Sequence, residues 1–345
     1  MTIRITWARA IATLVGLGAA GLLFAWSGLF NIAASSGHWP ITDWFLHWTM
    51  RNSVRTRAAF TIPDDPADAT GLVSAAGHFA NACAVCHGAP GVKPAPVMQS
   101  ATPPAPDLAI NAREWSDKQL FWILQHGVKY TGMPAWAVQD RPDEVRRMVA
   151  FVRRLPGMTP AQYEALVNEA NPGEDLASCT GCHGADGKGR GASDIPVLGG
   201  QDPAYLLAAL KGYADGTRSS AVMQQVAMRM TPAAMTDAAR RFAAMPGLGA
   251  APVGSAEAAR IVTQGIARIQ LPACASCHAS GKPYPVIAGQ RADYIAQRLR
   301  HWRGDDTIVD ARKSAATMPV IARRLPKDMI DPVARYLAGQ TTATR

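Results

Sequence analysis

The sequence predicts an all-α chain in which three tandem helical units follow an N-terminal membrane-spanning helix. Three observations carry this. Ala10 to Thr42 holds no charged side chain, and Ala10 to Phe30 alone matches the roughly 20 residues that cross a hydrocarbon core. One short cysteine motif recurs three times along the remaining chain. Apolar residues at i, i+3, i+4 spacing close each unit, over Asp143–Arg154, Pro232–Met245 and Lys327–Ala338, while strand-like alternation is scarce.

The 345 residues are 48% hydrophobic and 18% charged, enough apolar material for several cores and too much for a disordered chain. The net charge of +9 is unevenly placed: +4 in residues 1–58, 0 in 59–159, −1 in 160–273 and +6 in 274–345. Outside the membrane-proximal segment no basic stripe interleaves with aromatics, so a nucleic-acid partner is not expected.

Arg4 and Arg9 precede the apolar run, which puts the short N-terminus in the cytoplasm and the rest beyond the bacterial inner membrane, in the periplasm. A cleaved signal peptide is the alternative, disfavoured by the length of the run and a poor A-x-A pattern. Trp39, Trp44, Phe45 and Trp48, followed by Arg51, Arg55 and Arg57, form a short helix suited to membrane lipid at headgroup level; the competing reading packs this stripe on the first unit or on a partner subunit. Gly16-Leu17-Gly18-Ala19-Ala20-Gly21 matches a dinucleotide fingerprint but lies inside the span with no preceding strand, so close helix approach explains it better.

All six cysteines belong to one arrangement: Cys83-x-x-Cys86-His87, Cys179-x-x-Cys182-His183 and Cys274-x-x-Cys277-His278. This is the attachment signature of c-type haem, in which two thiols on one helical turn bond the porphyrin and the adjacent imidazole ligates iron. A redox dithiol needs no following histidine, and tetrahedral zinc needs two further ligands per pair. The expectation is three covalently bound haem c groups.

A second axial ligand is commonly methionine sulfur or another imidazole. The first unit offers Met133, after an aromatic helix over Leu120–Lys129; the second offers Met223 and the third Met318. The last two each lie 40 residues beyond their motif histidine and seven before Met230 or Leu325. Met228 and Met230 keep the second unit's ligand open, and His126 and His301 compete in the first and third. His78 reads as an ordinary half-buried side chain, and His47 as facing the membrane interface.

Pro196-Val197-Leu198-Gly199-Gly200-Gln201 then Tyr205 recurs as Pro285-Val286-Ile287-Ala288-Gly289-Gln290 then Tyr294. The expected division is therefore an anchor over 1–58 and units over 59–159, 160–252 and 253–345, with linkers at 155–160 and 245–254.

On these residues each unit resembles a class I cytochrome c domain. Units two and three are similar to the tandem domains of cytochrome c4, through the P-x-x-x-G-Q loop and the methionine seven residues before a Leu-like position. The first resembles monohaem domains of membrane-bound respiratory cytochromes, through the stretch HGVKYTGMPAW. The resemblance implies that the carbonyls of Pro106, Pro196 and Pro285 accept hydrogen bonds from the motif histidines. Ala279 departs from the usual glycine after the third motif, and the shortened loop there implies a more exposed site.

Doubly ligated iron leaves no open position for substrate, so the expected function is electron transfer, not catalysis. The expected partners are redox proteins of the same membrane: a quinol-oxidising complex or dehydrogenase as donor and an acceptor such as a terminal oxidase. A fixed cytochrome subunit of a quinoprotein dehydrogenase or terminal oxidase is the alternative, and a multihaem peroxidase a weaker one. Arg298, Arg300, Arg303, Arg312, Lys313, Arg323, Arg324 and Lys327 offer a basic face that could steer an acidic partner.

Overall fold

The computed structural model describes residues 6–168, 176–249, 253–304 and 317–339. Among them every regular element is helical, with only two isolated bridges, Ala89–Val92 and Ile266–Leu271.

Helix α1 (Trp7–Trp26) has mean hydropathy 1.7 and no buried residue. Its 20 residues make a rod of about 30 Å, the thickness of a bilayer core. Helix α2 (Pro40–Thr61) starts with proline at its first position and Asp43 in its first turn, both favourable at a helix N-terminus. It has two halves. Trp44, Phe45 and Trp48 are exposed, with Trp44 and Trp48 stacked at 6.1 Å. Val54 and Ala58 are buried where α2 meets the first unit, and Arg51 pairs with Glu114 at 2.8 Å while lying over the Trp115 ring. The aromatic stripe itself does not pack on the first unit; the C-terminal half of the helix does.

The first unit runs from α3 (Leu72–His78) through one π-helical turn, Phe79–Cys83, into α4 (Ala84–His87). This segment is apolar enough to resemble a second span, but Ala75, Ala76 and Phe79 are core residues. Two single turns, α5 (Pro96–Gln99) and α6 (Leu108–Asn111), lead to α7 (Asp117–His126), which opens with a Ser116–Gln119 capping box. Helix α8 (Pro142–Arg154) packs Val145, Met148, Val149 and Phe151 inward, with Phe151 5.3 Å from Phe79. Helix α9 (Pro160–Val167) opens the second unit in the sequence reading, yet buries Tyr163 against Phe79 and Phe151 in the first core. The expected linker at 155–160 is likewise anchored, since Leu155 is buried.

The second unit comprises α10 (Ala177–His183), α11 (Pro203–Ala214), α12 (Ala221–Ala227) and α13 (Pro232–Ala244). Among the described residues its main cluster is small, Leu176, Leu206, Ala238, Ala239 and Phe242, with Ile195, Val197, Ala227 and Met235 buried outside it. A unit of this size gains much of its stability from its neighbours and from any prosthetic group that fills its core. The third unit packs α14 (Ala256–Gln264), α15 (Ala292–Arg303), α16 (Thr317–Arg324) and α17 (Ile330–Ala338) around Ile261, Ile295, Leu299, Ile330 and Val333.

Polar contacts join the units. Asp194 of the second accepts from Ser74 of the first and lies 3.8 Å from the Arg147 guanidinium. Between the second and third units the repeated glutamines meet reciprocally. Gln201 donates to Val286 O at 3.1 Å and accepts from Val286 N at 2.9 Å; Gln290 does the same with Val197, at 3.1 and 2.9 Å. Arg291 then donates to the carbonyls of Lys188, Ala192 and Ile195.

Candidate haem-binding sites

Each motif lies on or beside a helical turn: α4, α10 or the 3-10 turn Cys274–Ser276. In the first unit the π turn ends at Cys83, and α4 carries Cys86 and His87. Gly88 follows at φ +70°, where a Cβ would come within 2.7 Å of Val92 O, so the chain can turn sharply away from the ring. His87 Nδ1 is 2.8 Å from Pro106 O. A carbonyl only accepts, so Nδ1 carries the proton and Nε2 keeps its lone pair for a metal.

In the second unit Gly184, at φ +80°, plays the same part after His183. His183 is the most enclosed of the three motif histidines, 8% exposed. Burial pushes its pKa down to about 4, opposed by the Pro196 carbonyl, although Nδ1 lies outside strict hydrogen-bond geometry. Cys182 Sγ rests on the first unit: a Cβ on Gly77 of α3 would meet it at 2.8 Å. Cys83 lies six residues further along that helical segment, about 9 Å at 1.5 Å per residue, so the first two motifs are near neighbours.

The third motif is the most open. Only a 3-10 turn, Cys274–Ser276, forms, Cys277 is exposed, and Ala279 stands where the other units have glycine. His278 Nδ1 is still held, 2.9 Å from Pro285 O.

The donor set fits a c-type haem. Burial raises the pKa of Cys179 and Cys274, that of Cys182 to about 11 and that of Cys83 to about 12. These sites therefore disfavour the thiolate that zinc or a reactive dithiol requires, but accept a neutral thioether. Burial also lowers the pKa of His87 and His278, against their proline carbonyls, and keeps the rings neutral. Among the described residues no three His, Cys, Asp or Glu side chains converge as a metal cluster would need.

Met133 sits in a tight turn after α7. Gly127, at φ +66°, admits the close return of residues 133–135; Val128 N donates to Met133 O at 3.1 Å, and Thr131 Oγ1 accepts from Met133 N at 3.1 Å. Its side chain is partly buried against the first core. Met318 opens α16 and packs on the third core, where Leu325 is buried. Met230 packs on the second core, seven residues beyond Met223, which lies near the start of α12. Met228 is 66% exposed.

His126 is exposed beside Trp122, away from an enclosed ligand position. His301 is buried within α15, and His47 contacts Asp43 on α2. His78 is more enclosed than half-buried: it is 9% exposed and its ring lies tilted against Trp136, centroids 4.8 Å apart.

Several of the expected basic residues are engaged within the third unit, though only Arg298 among them is buried. Arg298 is buried over Trp302, Arg300 pairs with Asp331 at 2.6 Å, Arg303 donates to Ala322, Arg323 and Leu325 carbonyls, and Arg324 donates to Gln270 O. Arg312 and Lys313 lie outside the described residues. Sequence reasoning missed Gly77 and Glu144 as inter-unit contacts, and read the repeated Gly-Gln pair as a mark of duplication without seeing that it joins units two and three.

Three Cys-x-x-Cys-His motifs, with two of the imidazoles held at Nδ1 by a proline carbonyl, define a c-type haem protein. Residues 72–152 match the family described as cytochrome c oxidase, cbb3-type, subunit III, and residues 170–247 match cytochrome c. A thiosulfate dehydrogenase electron acceptor of Stutzerimonas stutzeri is 33% identical over 180 residues, 49% of this chain and 81% of that protein. Cytochrome c4 of Pseudomonas aeruginosa is 30% identical over 198 residues, 54% of this chain and 92% of that protein. The solved cytochrome c4 of Acidithiobacillus ferrooxidans is 34% identical, covers 47% of this chain and 98% of its own, and has a TM-score of 0.39. The chain belongs to the cytochrome c family, as a class I member with cytochrome c4-like domains, and is an electron carrier.

Proposed function

We propose that the chain is a membrane-tethered, triple-haem electron carrier of the bacterial inner membrane, with its haem units over 59–159, 160–252 and 253–345 in the periplasm. The observation that carries this reading is the threefold presence of the cysteine pair with its neutral imidazole, two of the three rings held by a proline carbonyl at 2.8 and 2.9 Å. Haem c, when bound, supplies a one-electron iron couple. Cys83 and Cys86, Cys179 and Cys182, and Cys274 and Cys277 would hold it as thioethers. His87, His183 and His278 would be the proximal ligands, and Met133, Met223 and Met318 the distal ones. The chain's own contribution is to fix these side chains, keep the rings neutral and exclude water from the first two sites more than from the third.

Helix α1 supports a tether, and the exposed Trp44 and Trp48 support contact of α2 with the headgroup layer. An anchored carrier meets partners of the same membrane at raised effective concentration. The match of the first unit to an oxidase subunit favours a terminal oxidase as acceptor, and a quinol-oxidising complex or dehydrogenase fits as donor. Similarity to two thiosulfate dehydrogenase electron acceptors favours a dehydrogenase of that kind among the donors.

The test is haem quantification on the intact protein with redox titration. Three haems per chain are expected, and substitution of Met133, Met223 or Met318 by alanine removes one third of the sulfur-to-iron absorption each. A mass without bound tetrapyrrole refutes the reading; an unchanged spectrum reassigns that ligand.

A further inference from the structure

Glu144 of α8 is only 4% exposed. A carboxylate is kept from water at low cost only where charge-assisted donors replace its hydration. Four do so. Oε1 accepts from Ser220 Oγ at 2.6 Å and pairs with Arg141 Nη1 at 2.9 Å. Oε2 accepts from Ala221 N at 2.9 Å and from Trp136 Nε1 at 3.3 Å.

Three of these donors, Trp136, Ser220 and Ala221, lie on the two segments that carry Met133 and Met223, while Arg141 is the N-cap residue of α8 itself. Trp136 closes the Met133 turn, and its backbone N donates to Gln125 O at 3.2 Å. Ser220 caps α12, its hydroxyl accepting from Met223 N at 3.2 Å, so the group that Glu144 grips is bonded directly to the methionine's backbone. Ala221 is buried in the first unit's core although it belongs to the second unit's helix. Further bonds hold α12 to the same place: Arg141 donates to Ser219 O at 2.8 Å, Ser219 Oγ to Asp140 at 2.9 Å, and Gln225 to Asn81 O at 2.8 Å.

We propose that Glu144 is a positioning residue for two haem sites at once. Its carboxylate ties the Met133 turn and the start of the Met223 helix to one point, so axial ligation in the first and second units is set jointly. Met318 and the third unit lie outside this clamp. The proposal rests on the assignment of Met133 and Met223 made above.

The test uses the full-length, haem-loaded protein in detergent and reads the axial-methionine proton resonances of the reduced form together with the three midpoint potentials. Alanine substitutions of Met133, Met223 and Met318 first assign one resonance set to each unit. Glu144→Gln, which keeps volume but replaces one acceptor oxygen by a donor, is expected to shift the first and second sets and potentials and leave the third in place. Trp136→Phe should shift only the first, and Ser220→Ala only the second. If Glu144→Gln does not fold, the last two variants carry the test.

Unmoved first and second sets, or equal movement of all three, overturn the clamp. If Met223→Ala removes no resonance, the ligand assignment fails instead, whatever Glu144 does.

Discussion

Replacing Gln201 or Gln290 by alanine probes the junction between the second and third units. Both side chains are 5% exposed, and each makes two hydrogen bonds across the junction, at 2.9 and 3.1 Å. Each lost bond is worth about 1 kcal/mol net, and stranding the opposite backbone groups adds about 1 kcal/mol, so each substitution should cost about 3 kcal/mol. That is roughly a hundredfold shift toward the undocked form. The consequence is also crossed. Gln201 clamps Val286, next to the Pro285 carbonyl that faces His278, so its loss should disturb the imidazole of the third motif; loss of Gln290 should disturb that of the second through Val197 and Pro196. Guanidinium unfolding of the haem-loaded protein gives the energy, and hyperfine-shifted imidazole resonances give the site. A cost below about 0.5 kcal/mol for either variant, or both variants acting on the same haem, refutes this account of the junction.

Gly77→Ala places a methyl 2.8 Å from Cys182 Sγ, and overpacking of about 1–3 kcal/mol should outweigh the gain of about 1 kcal/mol in helix propensity. Thermal denaturation checks it, and a raised melting temperature would contradict the packing. At Asp143, burial opposes the charged form, yet Arg141, Arg147 and Arg298 hold its pKa well below the ordinary 3.8. Its contribution to stability is therefore complete above pH 3.8 and lost as pH falls through the lower folded value. Asp143→Asn should cost about 3–5 kcal/mol at neutral pH and remove that acid-sensitive part, as read by unfolding curves between pH 7 and 2.

The features legible in the sequence were local ones. Cysteine spacing marked the three sites, and the closing helices appear at Pro142–Arg154, Pro232–Ala244 and Ile330–Ala338, within a few residues of their periodic patterns. Apolar periodicity reports which face of a helix is buried, but not which neighbour buries it. Tyr163 therefore looked like part of the second unit and packs in the first. Glu144 meets donors 76 and 77 residues away, and no pattern in one chain pairs a carboxylate with a distant hydroxyl. The third unit's arginines counted as surface charge for the same reason, whereas carbonyls, a carboxylate and an indole ring take up several of them.

The seat of Cys182 against Gly77 also ties the two units together mechanically. Cys182 is partly buried with its sulfur against α3, so a porphyrin bonded there would bear on the preceding unit's helix as well as on its own fold.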